Sequence, residues 1–201
     1  MGKKLLLIFT KNPQLGKVKT RLAKTIGDEK ALLIFHKLID KTALVVDGVD
    51  AHKSLYYSDF IDDQDIWEGR VRNKKIQEGN SLGERMANAF KIGFNCGYNR
   101  IVVIGTDLWN LDPQIINKAF FTLRNVDGVI GPATDGGYYL LGLSRWIPSV
   151  FHGKGWGTST VFKDTVADFK NNTLAYLETK NDIDYFEDLE TIPELLKFLD
   201  Q

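Results

Sequence analysis

The stretch Ile101-Val-Val-Ile-Gly-Thr-Asp107 most constrains what this chain can fold into. Four apolar, largely β-branched residues in a row make a short buried strand. The run then passes through a glycine and a threonine to a single carboxylate. A carboxylate at the carboxyl end of a central strand stands where open α/β sheets hold their ligands. Aspartate is also common in turns, where it serves only the backbone. Assigning Asp107 to a site therefore depends on what other segments bring to the same end of the sheet.

Those segments alternate in type. Lys4–Thr10 reads as a first strand buried on both faces, followed by a loop from Lys11 to Arg21. Asp28 is placed as the N-cap of a helix running to about Val46, with Leu32, Phe35 and Ile39 on one face. Lys53–Tyr57 is a second strand, and the acidic run Ser58–Asp65 reads as a solvated loop. Asn73–Gln77 is a short strand. Ser81-Leu-Gly-Glu84 has the form of a capping box, after which Leu82, Met86, Ala89, Phe90 and Gly93 repeat at helical spacing. Asp112-Pro113 caps the helix after the central strand. Further strands are expected at Val126–Gly131, Tyr138–Leu143 and Thr173–Leu177. Helices are expected from Gly157-Thr-Ser-Thr160 to about Phe169 and from a second capping box, Thr191-Ile-Pro-Glu194. Strands alternating with helices define an α/β three-layer sandwich with a mainly parallel central sheet.

With 201 residues, 43% of them hydrophobic, the chain can bury a full core and is expected to form a single domain over 1–201. Its 26 basic and 26 acidic residues cancel, so no overall field draws nucleic acid or an acidic membrane, and any anion site must be local. A lone cysteine, Cys96, rules out an intramolecular disulfide and a cysteine zinc cluster, and fits a cytoplasmic protein. Lying in an apolar helical pattern, it is expected in the core. Leu5–Phe9 is too short for the core of a signal peptide, and no stretch approaches the roughly 20 apolar residues of a membrane span. His36, His52 and His152 stand at no serine or cysteine motif, which excludes a hydrolase built on such a nucleophile.

Chemistry concentrates in a few places. The first loop carries Lys11, Lys17, Lys19 and Arg21 just beyond a strand end, with Gly16 to let the backbone bend. Several cations in one short loop suit a phosphate chain better than a single carboxylate. The glycine patterns of a Walker loop and of a dinucleotide fingerprint are both missing. Asp107 is a candidate ligand for magnesium, which bridges one or two carboxylates to substrate phosphates. Asp184, close after the last strand in Asp182-Ile-Asp184, is the candidate second ligand. In Asp135-Gly136-Gly137-Tyr138 the paired glycines permit close approach to the backbone, Asp135 can orient a hydroxyl or assist the metal, and Tyr138 can stack. Lys154-Gly-Trp156-Gly-Thr158 is a flexible piece, a candidate lid.

These pieces occur in a familiar order: Lys11-x-Pro13-x-x-Gly16-x-x-Lys19-Thr20-Arg21-Leu22, Gln77-x-Gly79-x-x-Leu82-Gly83-Glu84-Arg85-Met86, Gly105-x-Asp107, Gly131-Pro-Ala-x-Asp135-Gly-Gly-Tyr138, Trp156-Gly-Thr158 and Asp182-Ile-Asp184. The chain thereby resembles, over nearly its whole length, a bacterial family of nucleotide-diphospho-sugar transferases with a GT-A-like fold, often labelled glycosyltransferase. Its first loop is also similar to those of the 2-phospholactate guanylyltransferases and, more distantly, the molybdenum-cofactor nucleotidyltransferases. The resemblance implies nucleotide binding by Lys11, Pro13, Gly16, Lys19, Thr20, Arg21, Gln77, Gly79 and Arg85. It implies Mg2+ or Mn2+ on Asp107 and Asp184, catalysis by Lys19, Arg21 and Asp107, and acceptor recognition by Trp109, Asp135, Gly136, Gly137, Tyr138 and Trp156. The chain departs from the family at Trp109, where proline is usual, and at Asn110, where an acidic residue is common.

The expected function is metal-dependent transfer of a nucleotidyl group from a nucleoside triphosphate to a small phosphorylated acceptor. The alternatives are glycosyl transfer from a nucleotide sugar, or nucleotide binding with little turnover. No nucleic-acid or membrane partner is expected.

Overall fold

The computed structural model describes residues 2–199. Seven strands form one sheet: β1 (Lys4–Thr10), β2 (His52–Tyr57), β3 (Asn73–Ile76), β4 (Arg100–Ile104), β5 (Gly128–Pro132), β6 (Tyr138–Leu143) and β7 (Leu174–Tyr176). Their spatial order is β3-β2-β1-β4-β6-β5-β7. All pairings are parallel except those of β6, which runs antiparallel to both β4 and β5. The mainly parallel sheet expected from the alternation of patterns is present, and β6 is its one reversed strand.

Period-two alternation assigns the strand side chains to two cores. Leu6 and Ile8 of β1 and Val102 and Ile104 of β4 join a cluster with Phe35, Ile39 and Phe120. These aromatic and aliphatic partners come from α2 (Asp28–Asp47) and α4 (Pro113–Thr122). On the other face Leu5, Leu7, Phe9, Ile101 and Val103 pack on Met86, Ala89 and Phe90 of α3 (Leu82–Asn95). Helices thus cover both faces, which is why β1 and β4 are apolar at nearly every position. A third cluster, built on Leu22, Ile34, Leu38, Ile183 and Leu189, joins α1 (Thr20–Ile26) and α2 to α6 (Phe186–Glu190) and α7 (Pro193–Leu196).

Several local expectations are corrected. The first loop is shorter than expected, because its last residues begin α1, packed by buried Leu22. Asp28 is the first residue of α2; the N-cap is Gly27, which at φ 83° makes the junction between the two helices. Leu82 is exposed although it shares the helical spacing, whereas Met86, Ala89, Phe90 and Gly93 are buried as expected. Ser81 caps the Glu84 amide at 3.2 Å, but the Glu84 carboxylate accepts from the Asn80 amide at 2.8 Å rather than from Ser81. No capping box forms at Thr191-Ile-Pro-Glu194, since Ile192 is the N-cap of α7 and the Thr191 hydroxyl donates to the Asp188 carbonyl at 2.6 Å. Cys96 is exposed at the C-cap of α3, one turn beyond the buried stripe. The helix expected from Gly157 begins at α5 (Val161–Ala167).

Candidate active site

At the carboxyl end of β1 and β4, threonines from the two strands meet: the Thr10 and Thr106 hydroxyls lie 3.2 Å apart, both buried. A cleft of about 450 Å³ opens over this junction. The strand ends and their loops supply Lys11, Gly105 and Asp107 to its wall; Gln77, Arg85, Tyr138, Trp156 and Asp182 come from the surrounding segments. Phe9, Met86 and Leu141 make part of it apolar. A concave site, mostly apolar with a few convergent polar groups, at the carboxyl ends of parallel strands is where this architecture binds ligands.

The first loop is held in place by one side chain. Asn12 is buried; its amide nitrogen donates to the Phe60 carbonyl at 2.8 Å and its amide oxygen accepts from the backbone amides of Asp59 at 3.0 Å and Phe60 at 3.3 Å. The loop after β1 is thereby clamped to the acidic loop after β2. Sequence reasoning passed over Asn12, because an asparagine before a proline reads as an ordinary turn residue.

Lys19 is the centre of the site's charge. It adopts φ 47°, the one non-glycine residue with positive φ among those described. Such a backbone costs on the order of 1 kcal/mol or more and persists where the surroundings enforce it. The nearly buried Lys19 ammonium pairs with Asp107 and, at 3.1 Å, with Asp184. Arg21 reaches the other oxygen of Asp184 at 3.2 Å and lies over the Tyr185 ring, 5.5 Å from its centroid. Burial works to depress the Lys19 pKa, but Asp107 and Asp184 more than offset it, so the ammonium is held above its ordinary value. The Ile183 amide donates to the Asp107 carbonyl at 3.1 Å, which seats the Asp182–Asp184 segment beside the central strand end. The Asp184 and Tyr185 amides both donate to Asp188, at 3.0 and 2.8 Å, which fixes the turn behind it.

Asp182 is the site residue that the resemblance did not assign. It lines the cleft, and its carboxyl is pushed up to about 7, by burial first and then by Asp107, with Asp135 and Asp184 adding and Lys19 opposing. Its signal in the sequence is that Asp182-Ile-Asp184 carries two acids, of which Asp182 is the first. Among the described residues no group of three or more histidine, cysteine, aspartate or glutamate side chains is spaced to hold a metal ion by itself. Asp107 and Asp184 nevertheless supply two hard oxygen donors on one cation, Lys19. That donor set fits magnesium or manganese, whose remaining positions are filled by water and substrate phosphate oxygens.

The other nominated residues divide. Gln77 faces the cleft but spends its amide on the Thr10 and Tyr56 carbonyls, at 3.1 and 3.0 Å, so it ties strand ends together. Arg85 lines the cleft while its Nε donates to the Gly79 carbonyl at 3.0 Å. Gly79, at φ 138°, is needed because a side chain there would strike the backbone amide of Arg85. Gly16, at φ 72°, makes the bend expected of it; Pro13, Gly16 and Lys17 of the loop, Thr20 at the start of α1, and the ion-paired Lys19, Arg21 and Asp184 stand outside the cleft wall, which Lys11, Asp107 and Asp182 line. Gly137 and Tyr138 line it. Tyr138 packs edge-on to Trp156 with ring centroids 6.5 Å apart, and among the described residues its buried hydroxyl has no hydrogen-bond partner. The Asp135 carboxylate accepts from the Gly137 amide at 2.8 Å, an Asx turn. The close approach that Gly136 allows, at φ 87°, is by the backbone of Ser159. The main departure is Trp109, which is absent from the cleft wall; it packs on the third apolar cluster, with the Lys41 ammonium 5.7 Å from its ring. The indole is therefore no part of the cleft wall, where the resemblance had placed it among the acceptor-binding residues.

Residues 42–158 match the family described as "Uncharacterized protein conserved in bacteria (DUF2064)", and the chain belongs to that family. A protein of Desulfovibrio desulfuricans G20 that bears the provisional name nucleotide-diphospho-sugar transferase is 32% identical, with 96% of this chain and 87% of that one covered and a TM-score of 0.88. A cytidylyltransferase from Leptospira borgpetersenii is 12% identical, covering 98% and 88%, with a TM-score of 0.58. A Mycobacterium tuberculosis H37Rv protein solved in complex with manganese is 11% identical, covering 100% of each chain, with a TM-score of 0.56. The last two likenesses show the fold, which is that of nucleotide-diphospho-sugar transferases. No curated protein matches the chain.

Proposed function

We propose that the chain is a transferase that moves a nucleotidyl group from a nucleoside triphosphate to a small phosphorylated acceptor, with Mg2+ or Mn2+ held by Asp107 and Asp184. One observation carries this reading: the cationic first loop and the strand-end carboxylates form a single ion-paired cluster, Lys19–Asp107–Asp184–Arg21, beside the cleft. Asp107 and Asp184 already occupy Lys19 and Arg21, and a bound divalent cation would take over those carboxylates and free the two side chains for a polyphosphate. Likeness of fold to a cytidylyltransferase and to a protein bound to manganese supports the choice.

In this reaction an acceptor phosphate oxygen bonds to the α-phosphorus, the α–β bridging P–O bond breaks, and pyrophosphate leaves with the electron pair. The bound metal would supply Lewis-acid stabilisation of the phosphate oxygens. Lys19, Arg21 and Lys11 would bind the departing phosphates and disperse their charge, while Asp107 and Asp184 hold the metal in register. Tyr138, Trp156 and Gly137 would form the acceptor wall. Pro13, Gly16, Thr20, Gln77, Gly79 and Arg85 would shape the nucleotide side rather than act on it.

Glycosyl transfer from a nucleotide sugar, favoured by the name of the Desulfovibrio relative, is separated by its leaving group. The test supplies pools of triphosphates or nucleotide sugars, phosphorylated and sugar acceptors, and both metals. Pyrophosphate is the expected product. Nucleoside diphosphate released from a nucleotide sugar, with no pyrophosphate from any triphosphate, overturns nucleotidyl transfer.

A further inference from the structure

A second cavity, of about 320 Å³, lies under the last turn of α3, toward the amino ends of β1 and β2. Alternation along the strands builds it. Leu5 of β1, His52, Ser54 and Tyr56 of β2, and Asn73 and Lys75 of β3 all project to one face. That face is apolar across β1 and β4, yet turns polar across β2 and β3 at the edge of the sheet. Lys3, Arg72, Cys96 and Tyr98 complete the wall.

The charge of this wall is one-sided. Lys3, Arg72 and Lys75 line it and no carboxylate does. Among the described residues these cations make no ion pair, whereas their near neighbours Lys4, Arg70 and Lys74 pair with Asp50, Asp47 and Asp65. Uncharged donors stand beside them. The Tyr98 hydroxyl and His52 Nδ1 share a hydrogen bond of 2.8 Å, and Asn73 donates to the Ser54 hydroxyl at 3.5 Å. Burial, with Cys96 and Glu78 adding, pushes the Tyr56 phenol up to about 12, so its hydroxyl remains a donor. The carbonyls at the end of α3 are met by the Cys96, Gly97 and Tyr98 amides, which blunts the negative end of the helix.

We infer that this cavity binds a small polyanion, a metabolite carrying two or more phosphate or carboxylate charges, at a site separate from the cleft. Unpaired cations around a concave, donor-rich wall attract such a ligand without having to release carboxylates first. The inference stands on the cavity alone and is independent of the reaction proposed for the cleft.

Cys96 provides a local reporter, since it lines the cavity, is exposed and is the only cysteine of the chain. The rate of Cys96 alkylation by iodoacetamide would be measured on the full chain, without divalent metal, in pyrophosphate, in citrate, and in sodium chloride at matched ionic strength. At a few times the dissociation constant, pyrophosphate, citrate or both should slow alkylation by about threefold or more, and saturably. Protection by one alone identifies phosphate or carboxylate chemistry; protection by both identifies a site selective for charge. Arg72→Gln/Lys75→Gln should lose the protection while keeping the unfolding midpoint, and Lys3→Gln should weaken it if the double variant folds poorly. Alkylation unaffected by both anions beyond the chloride control, or protection that survives in the variants, overturns the inference.

Discussion

The two cavities hold charge in opposite ways. Beside the cleft every cation of the central cluster is already matched: Lys19 pairs with Asp107 and Asp184, and Arg21 with Asp184. In the cavity under α3, Lys3, Arg72 and Lys75 line a wall that holds no carboxylate, and the Lys75 ammonium lies 5.9 Å from the Tyr56 ring centroid. A paired cluster discriminates, because an incoming polyphosphate must compete with built-in carboxylates and gains most when a second cation takes those carboxylates over. An unpaired cluster binds anions more simply and depends only on their charge and size. On the function proposed for the cleft, the contrast predicts that anion binding there responds to divalent metal and that binding in the second cavity does not.

The largest expected effect tests that need. Removing one of the two carboxylates proposed to hold the metal, in Asp107→Asn, should abolish the metal-dependent part of triphosphate affinity. The loss should be about a hundredfold or more, since even outer-shell changes at metal sites cost about 10–100-fold. Calorimetric titration with and without magnesium measures it. Equal affinity and an equal magnesium response in the variant would show that Asp107 is only a partner for Lys19.

Lys19→Met reverses the asymmetry of the cleft. Two carboxylates lose their shared cation, so manganese alone should bind more tightly than to the unchanged protein. Triphosphate should bind about tenfold more weakly or worse, because a charge-assisted contact contributes roughly 1.5–3 kcal/mol. Asp107 and Asp184 stay 48% and 39% exposed, so the unfolding midpoint should move little. Manganese affinity that falls along with triphosphate affinity would mean that Lys19 organises the carboxylates rather than competing for them.

Arg21→Ala should weaken triphosphate binding by about tenfold and leave nucleoside binding unchanged, since half-exposed Arg21 is engaged through its charge, by Asp184 and the Tyr185 ring. Isothermal titration with the two ligands separates the cases. An equal loss for both would point to a disturbed Asp184 turn instead of a lost phosphate contact.

What could be read in the sequence follows from range. β1, β4 and β6 were legible because a strand buried on both faces needs an unbroken apolar run, and a run is a local property. The grouping of Lys19 with Asp107 and Asp184 was legible only as a shared end of the sheet; the ion pairs span 88 and 165 positions of sequence. The reversal of β6 was hidden, because its pattern Tyr138–Leu143 reads the same in either direction. Asn12 was hidden because its role depends on the backbone of Asp59 and Phe60, a contact no local pattern encodes. The second cavity was hidden as well. Lys3 lies far in sequence from Arg72 and Lys75, in a chain of zero net charge, and the three converge only when β1, β2 and β3 stand side by side.

The smallest expected effect concerns Trp109, which the resemblance assigned to acceptor recognition. Position 109 is two residues past Asp107, and would share its face only if the chain ran on extended. The chain is not extended there. Residues 109 and 110 form a turn, and the indole packs with Leu22, Ile34 and Leu38 while Lys41 lies over its face. Trp109→Phe keeps an aromatic ring in that partly buried place and gives up part of the contact area, so stability should fall by about 1 kcal/mol. Nucleotide affinity and the acceptor KM should not change, because neither ligand meets the side chain. Thermal unfolding and steady-state kinetics measure the two halves of this statement. A tenfold rise in acceptor KM at unchanged stability would place the indole in the cleft and make the third cluster part of the site. A loss of stability alone would confirm that the family's usual proline has been replaced here by a residue that anchors the Asp107 loop onto α2.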